Sequence, residues 1–477
     1  MKSKMNYWEL RKQIAKIIPR MTQLYLDTNL DTKKAEQIKE KGRKKNYQQY
    51  NIKLGEWRKQ ERLLNTEEIN TFMEISTRAS ACPMPFNMDI WDGLLCPFGC
   101  IYCFANAFRA SLYTAFFDNA KTMGFRHCNS DFYKREIDKM LKLRTLPKEE
   151  KRKLTGIYKA FSFDMPIRMG IRFEDFLASE NKAKISLNMI KFLTEIEYPL
   201  MINTKSHLIG KKEYVKALSA NPAKTAVHVT AITSNEDIIR RLEPAAPTYA
   251  KRLAAIKNLT QANIRVVARI EPYLFLVNDN PDEIKQYMED MWEVGVRNIT
   301  FDTYSYTAVY NPGIRQSFIN AGYDFDRIYL AGCDSQFIGS LLLGKFMELF
   351  RERGFSSSTF DMGNVPSNNQ AVCCEVEDWF TGGGFNYGCT VMAARFISDR
   401  KKPTTWKQFY KYVYKHGGFL TEILQTEVHQ LWNLEGNSAY SHSWAQGLIP
   451  CGYNEDGLIW TVDPNKDDRL RLLEELI

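Results

Sequence analysis

Three cysteines stand close together in the segment Leu-Leu-Cys-Pro-Phe-Gly-Cys-Ile-Tyr-Cys-Phe, at Cys96, Cys100 and Cys103. Cysteine thiolates are the usual protein ligands of iron–sulfur clusters. Three thiolates can hold a cubic 4Fe-4S cluster and leave one iron without a protein ligand, and a metal with an open position can bind and activate a small molecule. The C-x3-C-x2-C spacing therefore favours a cluster that takes part in chemistry over a purely structural site.

Zinc is the alternative occupant of the triplet, because cysteines at similar spacings also occur in zinc modules. A zinc ion would need a fourth Cys or His nearby. The candidates are Cys82 upstream and His127 and Cys128 downstream, and none of them stands at a regular finger spacing. With zinc bound, the protein would be a metal-stabilised adaptor and not an enzyme.

The composition is that of a globular protein with more than one folded unit. A chain of 477 residues exceeds one ordinary hydrophobic core, and 44% hydrophobic and 25% charged residues are typical of soluble domains. No apolar run approaches the roughly 20 residues that span a bilayer, and residues 1–10 contain no apolar signal core. Ten cysteines without a secretory signal indicate a reducing compartment, so we expect a cytoplasmic protein with no membrane partner.

Positive charge is concentrated near the N-terminus. Residues 1–62 contain 17 Lys or Arg and 7 Asp or Glu, an excess of ten, whereas the whole chain carries +9. The basic cluster at residues 33–45 is followed by Tyr47, Tyr50 and Trp57. Basic side chains neutralise phosphates and aromatic rings stack on bases, which favours contact with nucleic acid. A solvated helical face is the alternative, since nearby glutamates are spaced to pair with lysines four residues away.

From about residue 85, short apolar segments alternate with longer amphipathic ones, which is typical of βαβ units and a parallel sheet. The pattern predicts strands at residues 87–94, 157–163, 200–204, 226–232, 264–270 and 298–304. It predicts helices at residues 105–123, 185–196, 211–219, 249–261 and 281–294. Ligands of parallel α/β folds bind at the carboxyl ends of the strands, which is where the cysteine loop falls.

The predicted fold class is therefore α/β, with an open (β/α)6 partial TIM barrel at residues 81–334. Residues 1–80 are predicted to form a basic, mostly helical N-terminal extension. From about residue 335 the alternation stops. Residues 335–477 are predicted to form a C-terminal extension or small domain that caps the barrel, with a helix at residues 341–353.

The triplet, with Tyr102 directly before the third cysteine, resembles the signature of the radical S-adenosylmethionine (SAM) enzymes. Further segments resemble the spore photoproduct lyase-like branch of that superfamily, whose members are often labelled DNA repair photolyases. These segments are residues 203–206, 242–247, 251–257, 269–272 and 278–279. The resemblance covers residues 85–310 and implies the partial barrel, a 4Fe-4S cluster on the three cysteines, and SAM bound at the open iron. It also implies reductive cleavage of SAM to a 5′-deoxyadenosyl radical that abstracts hydrogen from the substrate.

Carried over residue by residue, the resemblance implies contacts to SAM. Tyr102 would lie near the adenine, and Lys205 would meet the carboxylate through a strong charge-assisted bond. The other implied SAM contacts stand at strand ends: Ser162, Asp164, Thr230, Arg269 and Glu271. Each has an ordinary structural alternative, such as a helix cap or an ion pair. The resemblance assigns Glu243 to ordering the helix entry and not to substrate contact.

One position departs from the branch. Spore photoproduct lyases carry a cysteine at the end of the second strand that returns a hydrogen atom to the substrate radical. Residues 159–164 contain no cysteine, and Phe161 is the nearest equivalent. We therefore expect a route other than this cysteine route, with Tyr304, Tyr306 or Cys333 as alternative hydrogen donors.

Four further cysteines lie beyond the predicted barrel: Cys373, Cys374, Cys389 and Cys451. Together they would be able to hold an auxiliary cluster or a structural zinc ion, since both need thiolates. Neighbouring residues rarely bind one metal together, and free cysteines are among the most buried residue types. Buried thiols are therefore the alternative interpretation.

The sequence thus predicts a radical SAM enzyme of a lyase, isomerase or modifying subclass. The predicted substrate is a base in nucleic acid, for modification or repair, and such a base would first have to leave the duplex stack. The predicted partners are nucleic acid and an electron donor such as flavodoxin or ferredoxin. A radical SAM enzyme acting on a peptide or small metabolite is the second hypothesis, and the zinc adaptor is the third.

Overall fold

The computed structural model of the chain describes residues 5–28, 67–69, 73–75, 86–92, 96–103, 105, 126–154, 166–171, 173–221, 225–304, 312–332, 337–359, 376, 403–405, 408, 448–454 and 457–462. The strands in these residues are β1 (Glu67–Ile69), β2 (Met73–Ile75), β3 (Phe86–Met88), β4 (Trp91–Asp92), β5 (Arg126–Cys128), β6 (Ile167–Met169), β7 (Leu200–Thr204), β8 (Thr225–Thr230), β9 (Arg265–Ile270), β10 (Asn298–Phe301), β11 (Ser356–Thr359), β12 (Thr404–Thr405), β13 (Leu448–Asn454) and β14 (Gly457–Val462). The helices are α1 (Tyr7–Thr28), α2 (Ser130–Leu143), α3 (Lys148–Lys153), α4 (Glu180–Ala183), α5 (Ile185–Glu195), α6 (Lys212–Ser219), α7 (Glu236–Leu242), α8 (Tyr249–Gln261), α9 (Pro281–Glu293), α10 (Pro312–Asn320), α11 (Phe325–Gly332) and α12 (Phe337–Glu352), with a 3-10 helix at His207–Gly210.

The main sheet has the strand order β11-β10-β9-β8-β7-β6-β3-β2. From β3 to β11 each strand runs parallel to its neighbours, and β2 pairs antiparallel with β3 at one edge. Parallel neighbours require a crossover connection, which is usually helical. Between β7 and β10, helices α6, α8 and α9 lie in these connections. The shorter strands form two further sheets, β1-β5-β4 and β12-β14-β13.

The central part of the sheet agrees with the sequence prediction. The four strands predicted between residues 200 and 304 correspond to β7, β8, β9 and β10, and the helices predicted around them correspond to α5, α6, α8 and α9. Local signals define where these helices begin. The Asn280 side chain accepts hydrogen bonds from the backbone N–H groups of Asp282 and Glu283, and Pro281 fills the first helical position. The α/β class is confirmed for this part of the chain.

At the edges of the sheet the structure differs from the predicted pattern. The strand between β3 and β7 in the sheet is β6, and the segment predicted for that place, residues 157–163, lies outside the described residues. The alternation also continues past residue 335, because α12 leads into β11, which pairs in parallel with β10. Both strands are only three or four residues long, so their hydrophobic pattern is too short to identify them. The first predicted strand, residues 87–94, is divided between β3 and β4, which belong to different sheets.

The two faces of the main sheet differ in polarity. Side chains alternate along a strand, so the register decides which residues share a face. One face carries Met88, Met169, Ile202, Val227, Val229, Ala268, Ile270, Ile299 and Phe301, and it packs with the helices in the main hydrophobic core. The opposite face, here called the polar face, carries Asn87, Arg168, Asn203, His228, Thr230, Arg269, Thr300 and Ser358, together with the apolar Met201, Ala226 and Val267. Because buried polar groups need hydrogen-bonding partners, the polar face is the side of the sheet suited to a polar ligand.

The N-terminal helix is docked onto the body of the protein. Helix α1 packs against α11 and α12. The Tyr7 hydroxyl donates to Asp279 Oδ2 at 2.6 Å and lies 2.8 Å from the hydroxyl of Tyr273. Arg11 Nη2 donates to Asp279 Oδ1 at 3.0 Å. These four residues are called the helix network below. Among the helices of the described residues, none is both long enough and apolar enough to cross a membrane.

Candidate active site at the cysteine loop

The cysteine loop, residues 96–103, is shaped by two tight turns. The Gly99 N–H donates to the Cys96 carbonyl at 3.2 Å, and the Cys103 N–H donates to the Cys100 carbonyl at 3.2 Å. Gly99 has a φ of 63°, a left-handed conformation that glycine adopts without steric cost. The turns gather the three cysteines within one short segment.

Backbone hydrogen bonds attach this loop to the segment that ends α7. The Ile101 N–H donates to the Leu242 carbonyl at 2.9 Å, and the Ala245 N–H donates to the Phe98 carbonyl at 3.2 Å. Lys205, the residue after β7, places its Nζ 5.4 Å from the centre of the Tyr102 ring. The loop therefore lies at the carboxyl edge of the parallel sheet.

A second, smaller apolar cluster surrounds the loop. It contains Phe98, Cys100, Tyr102, Ile232, Ile238, Leu242, Leu274, Val277, Tyr304, Ile314, Phe318, Phe325 and Ile328. Cys100 is buried, whereas Cys96 and Cys103 are partly exposed. Burial raises the pKa of the Cys100 thiol well above its usual value, Glu243 raises it further, and Lys205 acts in the opposite direction. A thiolate at Cys100 therefore needs a cationic partner, which a metal centre would supply.

The donor set of the loop fits an iron–sulfur cluster. Cys96 and Cys103 both lie close enough to Cys100 to raise the pKa of its thiol. In a cubic cluster each thiolate binds a different iron, so its ligands do not converge on one point. Within the described residues, no three Cys, His, Asp or Glu side chains converge on one point, as the ligands of a single metal ion would. Cys128, considered above as a zinc ligand, packs in the main core and not in the loop cluster.

A buried carboxylate, Glu243, connects the loop to the sheet. Its Oε1 accepts a hydrogen bond from the Tyr102 hydroxyl, and its Oε2 accepts one from Arg252 Nη2. Lys205 Nζ lies 3.8 Å from Glu243 Oε1. Burial by itself raises the pKa of Glu243, but the charges of Arg252 and Lys205 outweigh it, so the pKa lies below its usual value and the group is a carboxylate. We call Tyr102, Lys205, Glu243 and Arg252 the loop network.

Arg252 extends the loop network to the sheet. Its Nη1 donates to the Thr230 carbonyl at 3.0 Å, at the carboxyl end of β8. The side chain of Arg252 is fully buried, whereas that of Lys205 is 19% exposed. The network thus contains two cations and one carboxylate, and the cation that retains access to solvent is Lys205.

Glu174 holds the backbone next to Lys205. Its carboxylate accepts hydrogen bonds from the Thr204 hydroxyl at 2.6 Å and from the Lys205 N–H at 2.9 Å. Burial raises the pKa of Glu174, and the hydrogen bonds from Thr204 and Lys205 oppose that shift. Glu174 follows β6, so the strand missed by the sequence prediction carries the loop that positions Lys205.

The polar face continues from this network across β9 and β10. Arg269 pairs with Glu271, and the Thr300 hydroxyl donates to Glu271 Oε1 at 3.3 Å. On β7, the Oδ1 atom of Asn203 is buried and has no hydrogen-bond partner among the described residues. An unpartnered buried carbonyl oxygen beside the loop network is suited to a donor group of a bound ligand, such as an amine or hydroxyl.

The structure brings some of the predicted site residues together. Tyr102, Lys205 and Thr230 lie around Glu243 and Arg252. Arg269 and Glu271 pair with each other, which is the structural alternative to SAM contact given in the sequence analysis. Tyr304 is 1% exposed and lies in the apolar cluster of the cysteine loop. The candidate residues of the sequence analysis that lie outside the described part of the chain include Cys82, Phe161, Ser162, Asp164, Tyr306, Cys333, Cys373, Cys374 and Cys389. Cys451 lies in β13.

Two residues of the site were missed by the sequence analysis. Arg252 and Glu174 carry charges that are buried in the structure, and nothing in their local sequence distinguishes them from surface charges. A signal for the polar face was present, because Asn203, His228 and Arg269 interrupt otherwise apolar strands. Polar residues inside a strand predicted to be buried on both faces indicate a ligand-facing side.

No family model matches the sequence, and no curated protein matches it. Among solved structures, a cysteine-to-serine mutant of spore photoproduct lyase is similar, with 14% identity over 62% of this chain and 81% of that chain and a TM-score of 0.43. SuiB from Streptococcus suis, bound to its precursor peptide SuiA, has 12% identity over 72% of this chain and 71% of that chain, with a TM-score of 0.33. OxsB, a cobalamin-dependent S-adenosylmethionine radical enzyme, has 10% identity over 82% of this chain and 54% of that chain, with a TM-score of 0.30. With identities and TM-scores this low, nothing about the substrate of this chain follows from these structures.

Proposed function

We propose that the chain is a radical SAM enzyme that acts on a base in nucleic acid. The observation that carries this proposal is a loop of three cysteines at the carboxyl edge of a parallel sheet, attached to a buried network that places the partly exposed cation Lys205 beside the loop. Bound at the loop, a 4Fe-4S cluster and SAM would supply one-electron cleavage of SAM and abstraction of a hydrogen atom from the substrate. We propose further that the sheet is a partial barrel with the polar face inside.

The residues of the chain would divide the work of holding these groups. Cys96, Cys100 and Cys103 would bind the cluster. Lys205 would pair with the SAM carboxylate, because it is the cation of the loop network that remains partly exposed. Asn203 offers an unsatisfied acceptor on the polar face for a donor group of SAM or substrate. The apolar cluster around the loop would keep water away from the reacting groups.

The nucleic-acid part of the proposal rests on charge and on the resemblance of residues 85–310. The excess of ten positive charges in residues 1–62 suits contact with phosphates. An electron donor such as flavodoxin or ferredoxin would reduce the cluster. Because residues 159–164 contain no cysteine, the substrate radical would be quenched by a group other than the usual cysteine.

The test is anaerobic purification and reconstitution of the full chain with iron and sulfide. We expect a brown protein with about four irons in the cluster. With SAM and dithionite it should release 5′-deoxyadenosine, and a nucleic-acid substrate should accelerate that release. The triple variant Cys96→Ala, Cys100→Ala, Cys103→Ala should lose the colour, the iron and the product.

The matched control is Cys128→Ala, which removes a buried thiol from the main core and leaves the loop intact. This variant should keep its iron and its SAM cleavage. A colourless protein that contains zinc and does not cleave SAM would contradict the enzyme and favour the adaptor. A loaded enzyme that is accelerated only by peptides or small metabolites would contradict the nucleic-acid substrate alone.

A further inference from the structure

A shallow groove with a lysine rim is formed by elements that flank the loop network in the chain. It is formed by the 3-10 helix after β7 together with α6 and α8. Its rim carries Lys211, Lys212, Lys216 and Lys251, all of them exposed, and we call it the lysine groove. The carboxylate in its lining, Glu213, is paired with Lys184. The groove therefore presents a local excess of positive charge.

The floor of the lysine groove is small and closely packed. Gly210 and Ala255 lie so close together that a Cβ atom at Gly210 would overlap the backbone of Ala255. Asn258 Nδ2 donates to the Gly210 carbonyl at 3.0 Å, which fixes the two elements against each other. Gly210 and Ala255 are both buried, so the floor is held rigid, and the exposed lysines on the rim are the groups that can reach the charges of a ligand.

The same elements carry the groove and the loop network. His207, in the lining of the groove, is two residues after Lys205. Lys251 on the rim directly precedes Arg252, whose guanidinium contacts Glu243 inside the protein. Consecutive Cα atoms are about 3.8 Å apart. The groove therefore begins two residues after Lys205 on the segment that follows β7, and one residue before Arg252 on α8.

We propose that the lysine groove binds the phosphate backbone of the nucleic-acid strand whose target base enters the site. This inference rests on the proposed function and adds the surface that holds the flanking nucleotides. Lysines bind phosphates as mobile point charges and without sequence preference. The occupant is a nucleic-acid strand because four lysines along an open, small-residue groove match a repeating anion and not a single one.

The experiment measures how salt weakens the binding of a fluorescein-labelled oligothymidylate to the full-length protein, by fluorescence anisotropy. Each phosphate contact on a single strand contributes about 0.7 to the slope of log affinity against log salt. The triple variant Lys212→Ala, Lys216→Ala, Lys251→Ala should reduce the steepness of that slope by about 2, for three contacts of about 0.7 each. The N-terminal basic segment is unchanged in this variant, so its contribution stays constant.

The control is a triple variant with the same loss of charge elsewhere: Lys142→Ala, Lys191→Ala, Lys285→Ala. These lysines are exposed on α2, α5 and α9, away from the groove lining. The control should keep the wild-type slope. Equal slopes for the two triple variants would overturn the groove, because only net charge would then matter.

The remaining outcomes separate the groove from the proposed function. Protein that releases 5′-deoxyadenosine but binds oligothymidylate without salt dependence would overturn the groove and leave the radical chemistry standing. Binding of polyglutamate, and not of oligothymidylate, in a manner that requires the groove lysines would overturn it in favour of an acidic peptide. A groove-dependent slope in protein that neither holds iron nor cleaves SAM would support the groove and contradict the enzyme.

Discussion

The loop network and the helix network are built from the same kinds of residue and do different things. Each centres on a buried carboxylate that accepts hydrogen bonds from a tyrosine and an arginine. In the helix network, Tyr7, Tyr273 and Arg11 all donate to Asp279, and the result is the attachment of α1. In the loop network a second cation, Lys205, lies beside Glu243 and remains partly exposed.

The difference lies in how the charge is balanced. One cation, Arg11, faces one carboxylate, Asp279, in the helix network, which is therefore neutral. Two cations lie beside Glu243 in the loop network. One of them, Lys205, is also approached by the buried carboxylate of Glu174, and it stands next to Tyr102 and the cysteine loop. The helix network joins two elements of the fold, whereas the loop network places a partly exposed cation beside the cysteine loop, where it can attract an anion.

The largest expected effect is a difference in the free energy of unfolding between variants of the two arginines, Arg252 in the loop network and Arg11 in the helix network. Arg252→Met should lower the free energy of unfolding by about 3–5 kcal/mol, because it leaves Glu243 charged and fully buried. Arg11→Met should cost about 1.5–3 kcal/mol, because Asp279 retains two hydroxyl donors. Urea unfolding followed by circular dichroism measures both. Adding Glu243→Gln to Arg252→Met should restore part of the lost free energy of unfolding. Equal losses for Arg252→Met and Arg11→Met would contradict the difference between the two networks.

The next test compares the two tyrosines by removing one hydroxyl from each network. Tyr102→Phe and Tyr7→Phe should each lower the free energy of unfolding by about 1.5–3 kcal/mol, since each hydroxyl donates to a buried carboxylate. Only Tyr102→Phe should change the electron paramagnetic resonance spectrum of the reduced, reconstituted protein, because Tyr102 adjoins Cys103. An altered spectrum in Tyr7→Phe would remove the distinction between the networks.

A pH dependence follows from the helix network. Burial, reinforced by the charge of Asp279, raises the pKa of Tyr7 well above its usual value of 10.0. Its folded-state pKa is thus above its unfolded value, so its contribution to stability is complete below pH 10 and is lost as the pH rises further. In Tyr7→Phe, the free energy of unfolding should fall less steeply above pH 10, by about 1.4 kcal/mol per pH unit. An unchanged slope in alkaline urea titrations would show that Tyr7 ionises equally in both states.

The smallest effect on stability is expected at Lys205. Its side chain is 19% exposed and its Nζ is 3.8 Å from Glu243, so Lys205→Met should change the free energy of unfolding by less than about 1 kcal/mol. The same substitution should weaken SAM binding at least tenfold, because it removes the accessible cation. Isothermal titration of the reconstituted protein with SAM measures the second quantity. The control is Lys191→Met on the exposed surface of α5, which should leave both quantities unchanged.

The sequence predicted the centre of the fold better than its edges. Strands β7 to β10 and the helices around them were found because each has a long hydrophobic pattern, and β7 begins and ends where predicted. β6 and β11 were missed because three or four residues carry too little pattern. The cysteine loop was found because its spacing is local and its residue type is specific.

The loop network could not be predicted in the same way. Glu243 and Arg252 are nine residues apart, and Tyr102 and Lys205 come from distant segments, so no local spacing connects them. Charged residues are placed at the surface by default, and only the packing of α7 and α8 against the sheet shows that these two are buried. The role of Glu243 in ordering its own segment was anticipated, but its bond to Tyr102 was not.

The attachment of the cysteine loop by main-chain atoms has a consequence for how this protein can diverge. Its two bonds join the backbone of residues 101 and 242 and the backbone of residues 98 and 245. Every amino acid offers the same carbonyl, and every one except proline offers the same N–H. These two bonds therefore survive any change of side chain except proline at 101 and 245, and the side chains of Phe98 and Leu242 are restricted only by their packing in the apolar cluster. Relatives of this chain can share the placement of the cysteines and retain little other sequence in common.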